Sequence, residues 1–292
     1  MTLPAFPITK LRLALIGGVI LALLGLGLLY LTGYQAEHRV PDGPTIVVAN
    51  PFDAVYLEAK AAVVYDVETG QVVYSLNAGQ PFPLASITKV MTALVASNML
   101  APESKITLGR EQWSFKNLLD FTLITSSNES AQALANASEQ ESGEQFVSAM
   151  NLMTTKLGLS SMSFANPTGL DVAPGQAGAY GSASDVAKLF THIVSTKPEL
   201  LASTRLSSTN VASVGASHLA INTNKVAGIL PGLIASKTGF TDLADGNLAV
   251  IVDRGLRQPI VIVVLSSSQD GRFNDVLKLN KATLAYFAEP AH

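Results

Sequence analysis

The sequence predicts a mixed α/β domain of the α+β type, in which strands from both ends of the chain form one antiparallel sheet around an inserted helical region. Three observations predict this class. β-rich runs occur soon after residue 60 and again after residue 232, and apolar residues at helical spacing dominate the region between them. An uncharged apolar run near the N-terminus adds one transmembrane helix before the domain.

The composition excludes several classes of function. Hydrophobic residues make up 48% of the 292 residues. The formal net charge of -3 gives no sign of the basic surface by which proteins bind nucleic acid. The chain has no cysteine, which excludes disulfides, zinc–thiolate sites and cysteine nucleophiles. Its four histidines are scattered and none belongs to a pair with metal-ligand spacing, so we expect neither a metal nor a cofactor.

The apolar run at residues 13–31 is long enough to cross a bilayer as a helix, and no charge occurs between Arg12 and Glu37. Basic residues precede the run, so the positive-inside tendency places that end in the cytoplasm and the rest of the chain outside it. A cleaved signal peptide is the alternative, but the residues after the run offer no good small-x-small cleavage site. We therefore predict that residues 1–33 form a cytoplasmic stub and an uncleaved anchor.

The sequence after the predicted anchor predicts a linker followed by one domain. Residues 34–59 mix polar residues with prolines, which is typical of a tether, and residues 60–292 form the predicted domain. β-rich runs at 61–66 and 71–76 predict a hairpin. Helices are predicted at about 86–99, 115–124, 129–137, 142–157 and 184–195, inside a helical insert at about 87–225. Strands are predicted at 232–237, 247–253 and 258–265, and a last helix at about 272–287. The run Ser142-Gly143-Glu144-Gln145 resembles a capping box at the start of its helix.

Ser86 and Lys89 form the first candidate chemical pair. They lie three residues apart and share one face of the predicted helix. A serine hydroxyl needs a base within hydrogen-bond reach, and a lysine can be that base when burial or a second cation lowers its pKa. The spacing alone is also typical of a solvated helix edge, so a catalytic interpretation requires partners from elsewhere in the chain.

Two further motifs supply candidate partners. Lys237-Thr238-Gly239, at the end of a predicted strand, offers a cation and a hydroxyl to a carboxylate, and its glycine would let a ligand approach the backbone closely. Ser126-x-Asn128 lies between two apolar helices. The same pattern recurs as Ser208-Thr209-Asn210, but that copy lies in a polar stretch later in the chain. Order and context therefore favour Ser126.

These three motifs, in this order, resemble those of penicillin-binding proteins and serine β-lactamases. Longer matches narrow the resemblance to the D-alanyl-D-alanine carboxypeptidases, which are low-molecular-mass penicillin-binding proteins. These matches are residues 83–92, 166–171, 180–187, 222–224 and 236–242. The resemblance spans about residues 61–287 and implies a β-lactamase/transpeptidase-like fold.

The resemblance implies a role for each catalytic residue. Ser86 would attack the carbonyl of the penultimate D-alanine of a peptidoglycan stem peptide, and Lys89 would accept its proton. Ser126 would relay a proton to the departing D-alanine, while Asn128 would orient Lys89 and the substrate amide. The acyl-enzyme would then be hydrolysed, whereas a β-lactam would acylate Ser86 and remain bound.

The resemblance also implies a substrate-binding set. Lys237 and Thr238, followed by Gly239, would hold the terminal carboxylate, and the backbone N–H groups of Ser86 and Phe240 would form the oxyanion hole. The implied partners are peptidoglycan stem peptides, β-lactam inhibitors and the bacterial cytoplasmic membrane. The catalytic domain would lie outside the cytoplasm.

The sequence departs from this family at three places. Only 36 residues separate Lys89 from Ser126, and the segment 101–113 replaces a longer, hairpin-containing region. Ser127 stands where glycine is common. The chain stops soon after the last predicted helix, without the C-terminal β domain and amphipathic anchor of many relatives, so the N-terminal helix would serve as the anchor.

Three alternatives remain. A class A β-lactamase shares the motifs, but no glutamate in the expected local pattern lies between Asn128 and Lys237. An endopeptidase that cleaves D-alanyl-diaminopimelyl cross-links would use the same residues. The non-enzymatic alternative is a membrane-tethered module that binds peptidoglycan without catalysis. The presence of every catalytic residue type argues against it.

Overall fold

The computed structural model describes residues 8–37, 50–255 and 257–288, with the side chains of the first helix described at residues 17–31. The chain divides into two compact units, Met1–Ala49 and Asn50–His292. The described part of the first unit is helix α1, Ile8–Glu37. Within the residues that the structure describes, no helix has both the length and the apolar character needed to span a membrane. The anchor stays a prediction.

The second unit alternates strands and helices along the chain. Its described strands are β1 (Ala61–Asp66), β2 (Val72–Leu76), β3 (Phe82–Pro83), β4 (Lys105–Leu108), β5 (Glu111–Ser114), β6 (Ser163–Phe164), β7 (Ala179–Gly181), β8 (Ser208–Ser213), β9 (Ala216–Ile221), β10 (Leu233–Thr241), β11 (Asp245–Asp253) and β12 (Pro259–Ser267). Its described α-helices are α2 (Thr88–Met99), α3 (Phe115–Thr125), α4 (Asn128–Ser142), α5 (Phe146–Leu157), α6 (Ala183–Thr196) and α7 (Gly271–Ala288). Short 3-10 helices occur at Ala85–Ile87, Pro198–Leu200 and Ala202–Arg205.

In the described part of the second unit, five strands form the main sheet in the order β10-β11-β12-β1-β2, and every neighbouring pair is antiparallel. The predicted sheet built from both chain ends is therefore confirmed, as is the predicted hairpin of β1 and β2. Strands β11 and β12 are buried along almost their whole length. One face of the sheet packs on α7 and the other on the helical insert, in two separate hydrophobic cores. Burial on both faces explains the continuous apolar runs of these strands.

The second unit begins with residues 50–59, which are the last ten residues of the predicted linker. Phe52 and Ala59 are buried in the core beside α7. The carboxylate of Asp275 on α7 accepts hydrogen bonds from the backbone N–H groups of Glu58 and Ala59. These bonds attach the chain to α7 just before β1 begins.

Two predicted boundaries are wrong. Strand β10 continues to Thr241, so Lys237-Thr238-Gly239 lies inside the strand and not at its end. Backbone pairing with β11 carries the strand through these polar residues. Ser142 ends α4 and does not begin the next helix, because Gly143 adopts the left-handed conformation that closes α4. Helix α5 begins at Phe146, whose N–H donates to Glu139 Oε1, while the preceding Gln145 makes no capping hydrogen bond.

Sequence patterns missed two hairpins. Strands β4 and β5 pair from Lys105 to Ser114, so the short segment 101–113 retains most of a small hairpin. Strands β8 and β9 pair around the turn at Gly215. In the second hairpin only Val211 and Ala220 are buried, while Leu219 and Ile221 are exposed, so the apolar residues show no alternation between two faces.

Candidate active site

Ser86 lies at a sharp turn between β3 and helix α2. The preceding residue, Ala85, has a φ of 47°, a left-handed conformation that is uncommon for a residue with a side chain. Leu84 and Ile87, which flank Ala85 and Ser86, are buried and hold the turn in the core. Ser86 itself is only partly buried, so its hydroxyl is presented at the start of α2.

Lys89, one helical turn after Ser86, is fully buried. Its Nζ lies 2.8 Å from Ser86 Oγ, 2.7 Å from Asn128 Oδ1 and 2.7 Å from the carbonyl oxygen of Thr168. Burial lowers the pKa of Lys89 from its usual 10.5 to about 7, since it penalises the charged form. The predicted nucleophile and base are therefore within hydrogen-bonding distance.

The partners of Lys89 determine what its neutral form can do. A neutral amine has two hydrogens and one lone pair. The oxygens of Asn128 and Thr168 accept hydrogens only, so they take the two N–H groups. The lone pair is then left for the hydroxyl hydrogen of Ser86. This geometry suits general-base activation of a serine.

The junction of α3 and α4 presents Ser126 and Asn128. Ser126 follows the last residue of α3 with a φ of 60°, so the chain turns sharply between the two helices. Ser127 caps α4 by accepting a hydrogen bond from the N–H of Ser130, and Asn128 is the first residue of that helix. Ser208, the alternative from the repeated pattern, lies exposed in β8.

Lys237 places a second buried cation in the cluster. It is 1% exposed, and its Nζ donates to Ser126 Oγ at 2.8 Å and to the carbonyl oxygen of Thr238 at 3.0 Å. Burial, followed by the charges of Lys89 and Arg272, holds the pKa of Lys237 well below its usual value. An anion bound here would relieve both the burial penalty and the repulsion among these cations.

Gly239 permits a close approach of the chain itself, and the predicted approach of a ligand stays a prediction. A Cβ at this position would lie 2.7 Å from the carbonyl oxygen of Leu84 and 3.2 Å from the backbone nitrogen of Ser86. The turn at residues 84–86, which carries the predicted nucleophile and is called the nucleophile turn below, therefore packs directly on β10, beside Phe240. Arg272 Nη1 donates to the carbonyl oxygen of Gly239 at 2.7 Å and fixes this peptide from the other side.

The loop 166–171 is a functional element to which the sequence motifs gave no role. Asn166 Oδ1 accepts hydrogen bonds from the N–H groups of Thr168 and Gly169, which directs the Thr168 carbonyl to Lys89. Gly169 has a φ of 79°, and a Cβ there would lie 1.9 Å from the carbonyl oxygen of Ala85. The turn-forming residues were visible in the sequence, but their contact with Lys89 depends on the tertiary fold.

Comparisons with known proteins agree with this geometry. The chain matches the sequence model of the D-alanyl-D-alanine carboxypeptidase family over residues 47–114 and 96–269. It is 30% identical over 248 residues to the D-alanyl-D-alanine carboxypeptidase DacF of Bacillus subtilis, an alignment that covers 76% of this chain and 61% of DacF. The chain thus spans less than two thirds of the length of that relative.

Two further similarities bear on the site. A D-alanyl-D-alanine endopeptidase of Pseudomonas aeruginosa is 30% identical over 253 residues, with 77% of each chain covered. The structure of penicillin-binding protein D2 from Listeria monocytogenes in the ampicillin-bound form superposes with a TM-score of 0.69 at 32% sequence identity. That match covers 78% of this chain and 98% of the other.

Gly169→Ala should disrupt the site. The added Cβ would overlap the carbonyl oxygen of Ala85, so we expect acylation of Ser86 by a p-nitrophenyl ester to fall at least about tenfold, or about 1.4 kcal/mol in activation free energy. Gly175→Ala is the matched control, because Gly175 has a similar φ of 77° but no atom within 4 Å of the added Cβ. Equal losses in the two variants would contradict a specific role of the contact at Gly169.

Acylation of Ser86 should rise with pH and level off above a midpoint near 7. Only the neutral form of Lys89 can accept the serine proton, and its fraction increases as pH passes its pKa of about 7. The measurement is the acylation rate between about pH 5 and about pH 9. Lys89→Arg retains a cation that does not deprotonate in this range, so it should lose the rising limb together with the activity. A wild-type rate independent of pH around 7 would exclude Lys89 as the base.

Proposed function

Because this chain belongs to the D-alanyl-D-alanine carboxypeptidase family, we propose that it is a serine-type hydrolase that removes the terminal D-alanine of peptidoglycan stem peptides. The single observation that carries this proposal is the placement of buried Lys89 between Ser86 Oγ, Asn128 Oδ1 and the Thr168 carbonyl oxygen. This arrangement provides a nucleophile and a base that is partly neutral near pH 7.

In the acylation step, Ser86 Oγ attacks the carbonyl carbon of the penultimate D-alanine while its proton passes to Lys89 Nζ. Backbone N–H groups of Ser86 and Phe240 are the proposed donors to the developing oxyanion, since the nucleophile turn packs beside this part of β10. Removing one such donor typically costs about 2.7–4 kcal/mol of transition-state stabilisation. The peptide C–N bond then breaks, and Ser86 carries the acyl group.

The departing D-alanine needs a proton and its carboxylate needs a cation. Ser126 accepts a hydrogen bond from Lys237, so its own hydroxyl hydrogen remains free to pass to the leaving nitrogen. The proton that Lys89 took from Ser86 would then be relayed to Ser126 Oγ, which restores both the hydroxyl and the neutral lysine. Lys237 and Thr238 face the terminal carboxylate in this proposal. Hydrolysis of the ester by water restores Ser86 and releases the shortened peptide. A β-lactam would form the same ester and remain attached.

Cleavage of D-alanyl-diaminopimelyl cross-links is the second candidate activity. The similarity to an endopeptidase over 77% of both chains supports it, and the same site residues would carry it out. The two activities differ in what lies beyond the scissile bond, a free D-alanine in one case and a second stem peptide in the other.

We also propose that residues 13–31 anchor the protein in the bacterial cytoplasmic membrane, with the catalytic unit on the outer side. The absence of charge between Arg12 and Glu37 and the apolar composition of the run support this proposal. Peptidoglycan lies on that side of the membrane, so the anchor would hold the enzyme near its substrate.

A fluorescent penicillin should label the wild-type protein covalently and leave Ser86→Ala unlabelled. Ser208→Ala is the matched control, because Ser208 belongs to the repeated serine-x-asparagine pattern yet lies exposed in β8, and its labelling should equal that of the wild type. Wild-type protein should also release D-alanine from a free pentapeptide.

Three other results of these assays would each support one of the alternative functions. Cleavage of cross-linked muropeptides without release of D-alanine would support the endopeptidase. Rapid turnover of a chromogenic cephalosporin would support a β-lactamase. A folded wild-type protein that takes up no label would support the non-catalytic binding module.

The anchor predicts membrane retention. The full chain should stay with the membrane fraction after alkaline carbonate extraction, and Leu21→Lys together with Leu24→Lys should release it. Each buried lysine at the centre of a membrane helix costs about 2.5–3.5 kcal/mol on insertion scales. Recovery of the wild-type protein in the soluble fraction, or equal retention of the charged variant, would refute the anchor.

A further inference from the structure

Thr223, in the loop after β9, contacts the proposed carboxylate site from outside the three motifs. Its Oγ1 lies 2.5 Å from the Oγ1 of Thr238, and the geometry allows either hydroxyl to be the donor. Thr238 is 4% exposed. Among the described residues its hydroxyl has no other hydrogen-bond partner. The hydroxyl proposed to bind the substrate is therefore paired with Thr223.

The backbone around Thr223 is held on two sides. The N–H of Thr223 donates to the carbonyl oxygen of Ile124, near the end of α3. The side chain of Asn222 donates to the carbonyl oxygen of Thr204 at 2.8 Å, and Thr204 Oγ1 in turn accepts from the N–H of Ser236 on β10. Thr223 is thus positioned between the helix that leads into Ser126 and the strand that carries Thr238.

We propose that Thr223 is a positioning residue for carboxylate recognition, in which it donates its hydroxyl hydrogen to Thr238 Oγ1 and so leaves the hydrogen of Thr238 for the terminal carboxylate of the substrate. The role rests on the proposed carboxypeptidase function. It goes beyond that function because it assigns a step in recognition to a residue outside the catalytic and binding motifs.

Hydrogen-bond chemistry selects this direction once a carboxylate is present. An ionised carboxylate accepts hydrogen bonds only, so it can bind Thr238 only through the hydrogen of Thr238 itself. If Thr238 donated to Thr223 instead, it would present an oxygen lone pair to the anion. When Thr223 donates to Thr238 and Thr238 donates to the carboxylate, both hydroxyl hydrogens are used in hydrogen bonds. Each hydrogen bond in such a chain polarises and strengthens the next.

The direct test compares a penicillin with its methyl ester as acylating agents for Ser86. Thr223→Val keeps the shape of the side chain but removes the donor, so we expect acylation by the free acid to slow about tenfold and acylation by the ester to change little. Thr223→Ser keeps the hydroxyl and should restore discrimination between acid and ester. Thr196→Val, which removes an exposed threonine hydroxyl at the end of α6, is the control for hydroxyl loss away from the site.

A second comparison shows whether Thr223 acts through Thr238. In a Thr238→Val background, Thr223→Val should have no further effect on discrimination between acid and ester. With a peptide ending in D-alanyl-D-alanine, Thr223→Val should raise KM about tenfold and leave kcat within about twofold, as expected when carboxylate binding is lost equally from ground and transition states.

The outcomes separate this proposal from the proposed function. A wild-type protein that neither penicillin nor its ester acylates would refute the function and this role together. The role of Thr223 alone would be refuted if the wild type is acylated normally and Thr223→Val slows acylation by the acid and the ester equally. It would also be refuted if the variant discriminates between acid and ester as the wild type does. Additive effects of the two valine substitutions would also refute it.

Discussion

The site depends on keeping two lysine side chains buried close together. Lys89 and Lys237 are almost inaccessible to solvent, and burial of a cation is strongly unfavourable unless oxygen atoms surround it. The chain supplies these oxygens from separate elements, which include the Thr168 carbonyl from the loop 166–171, Asn128 from α4 and Ser126 from the helix junction. The remaining penalty appears as lowered pKa values of both lysines. The same burial that opposes the charged forms leaves part of Lys89 neutral near pH 7, as its proposed role as a base requires.

Two of the non-glycine residues with positive φ lie where these elements meet. Ala85 and Ser126 both adopt left-handed conformations although neither is glycine, and each lies at a turn that presents a side chain of the proposed catalytic set. Gly169 and Gly239 flank the nucleophile turn, where a Cβ would collide with its backbone. Such conformations are unfavourable in isolation and persist because the surrounding structure determines them. The five-stranded antiparallel sheet and its two hydrophobic cores provide these surroundings.

Patterns in the sequence predicted the elements whose formation depends on local or continuous apolar signals. The central strands β11 and β12 and the helix α2 are of this kind. The errors occur where a neighbour overrides the local signal. Backbone pairing with β11 extends β10 through Lys237, and the left-handed Gly143 closes α4 where a capping box was predicted to open a helix. The hairpin of β8 and β9 escaped prediction because most of its side chains face solvent.

The sequence by itself determined the residue types of the site, the order of its motifs and the sheet built from both chain ends. It could not determine which groups surround each motif, because those contacts join residues far apart in the chain. Lys89 meets the Thr168 carbonyl across 79 positions, and Lys237 meets Ser126 across 111. The pKa of Lys89 and the contact of Thr223 with Thr238 arise from packing and burial that no local pattern encodes. Only the tertiary structure decided them, since burial and hydrogen-bond geometry exist only once these segments meet.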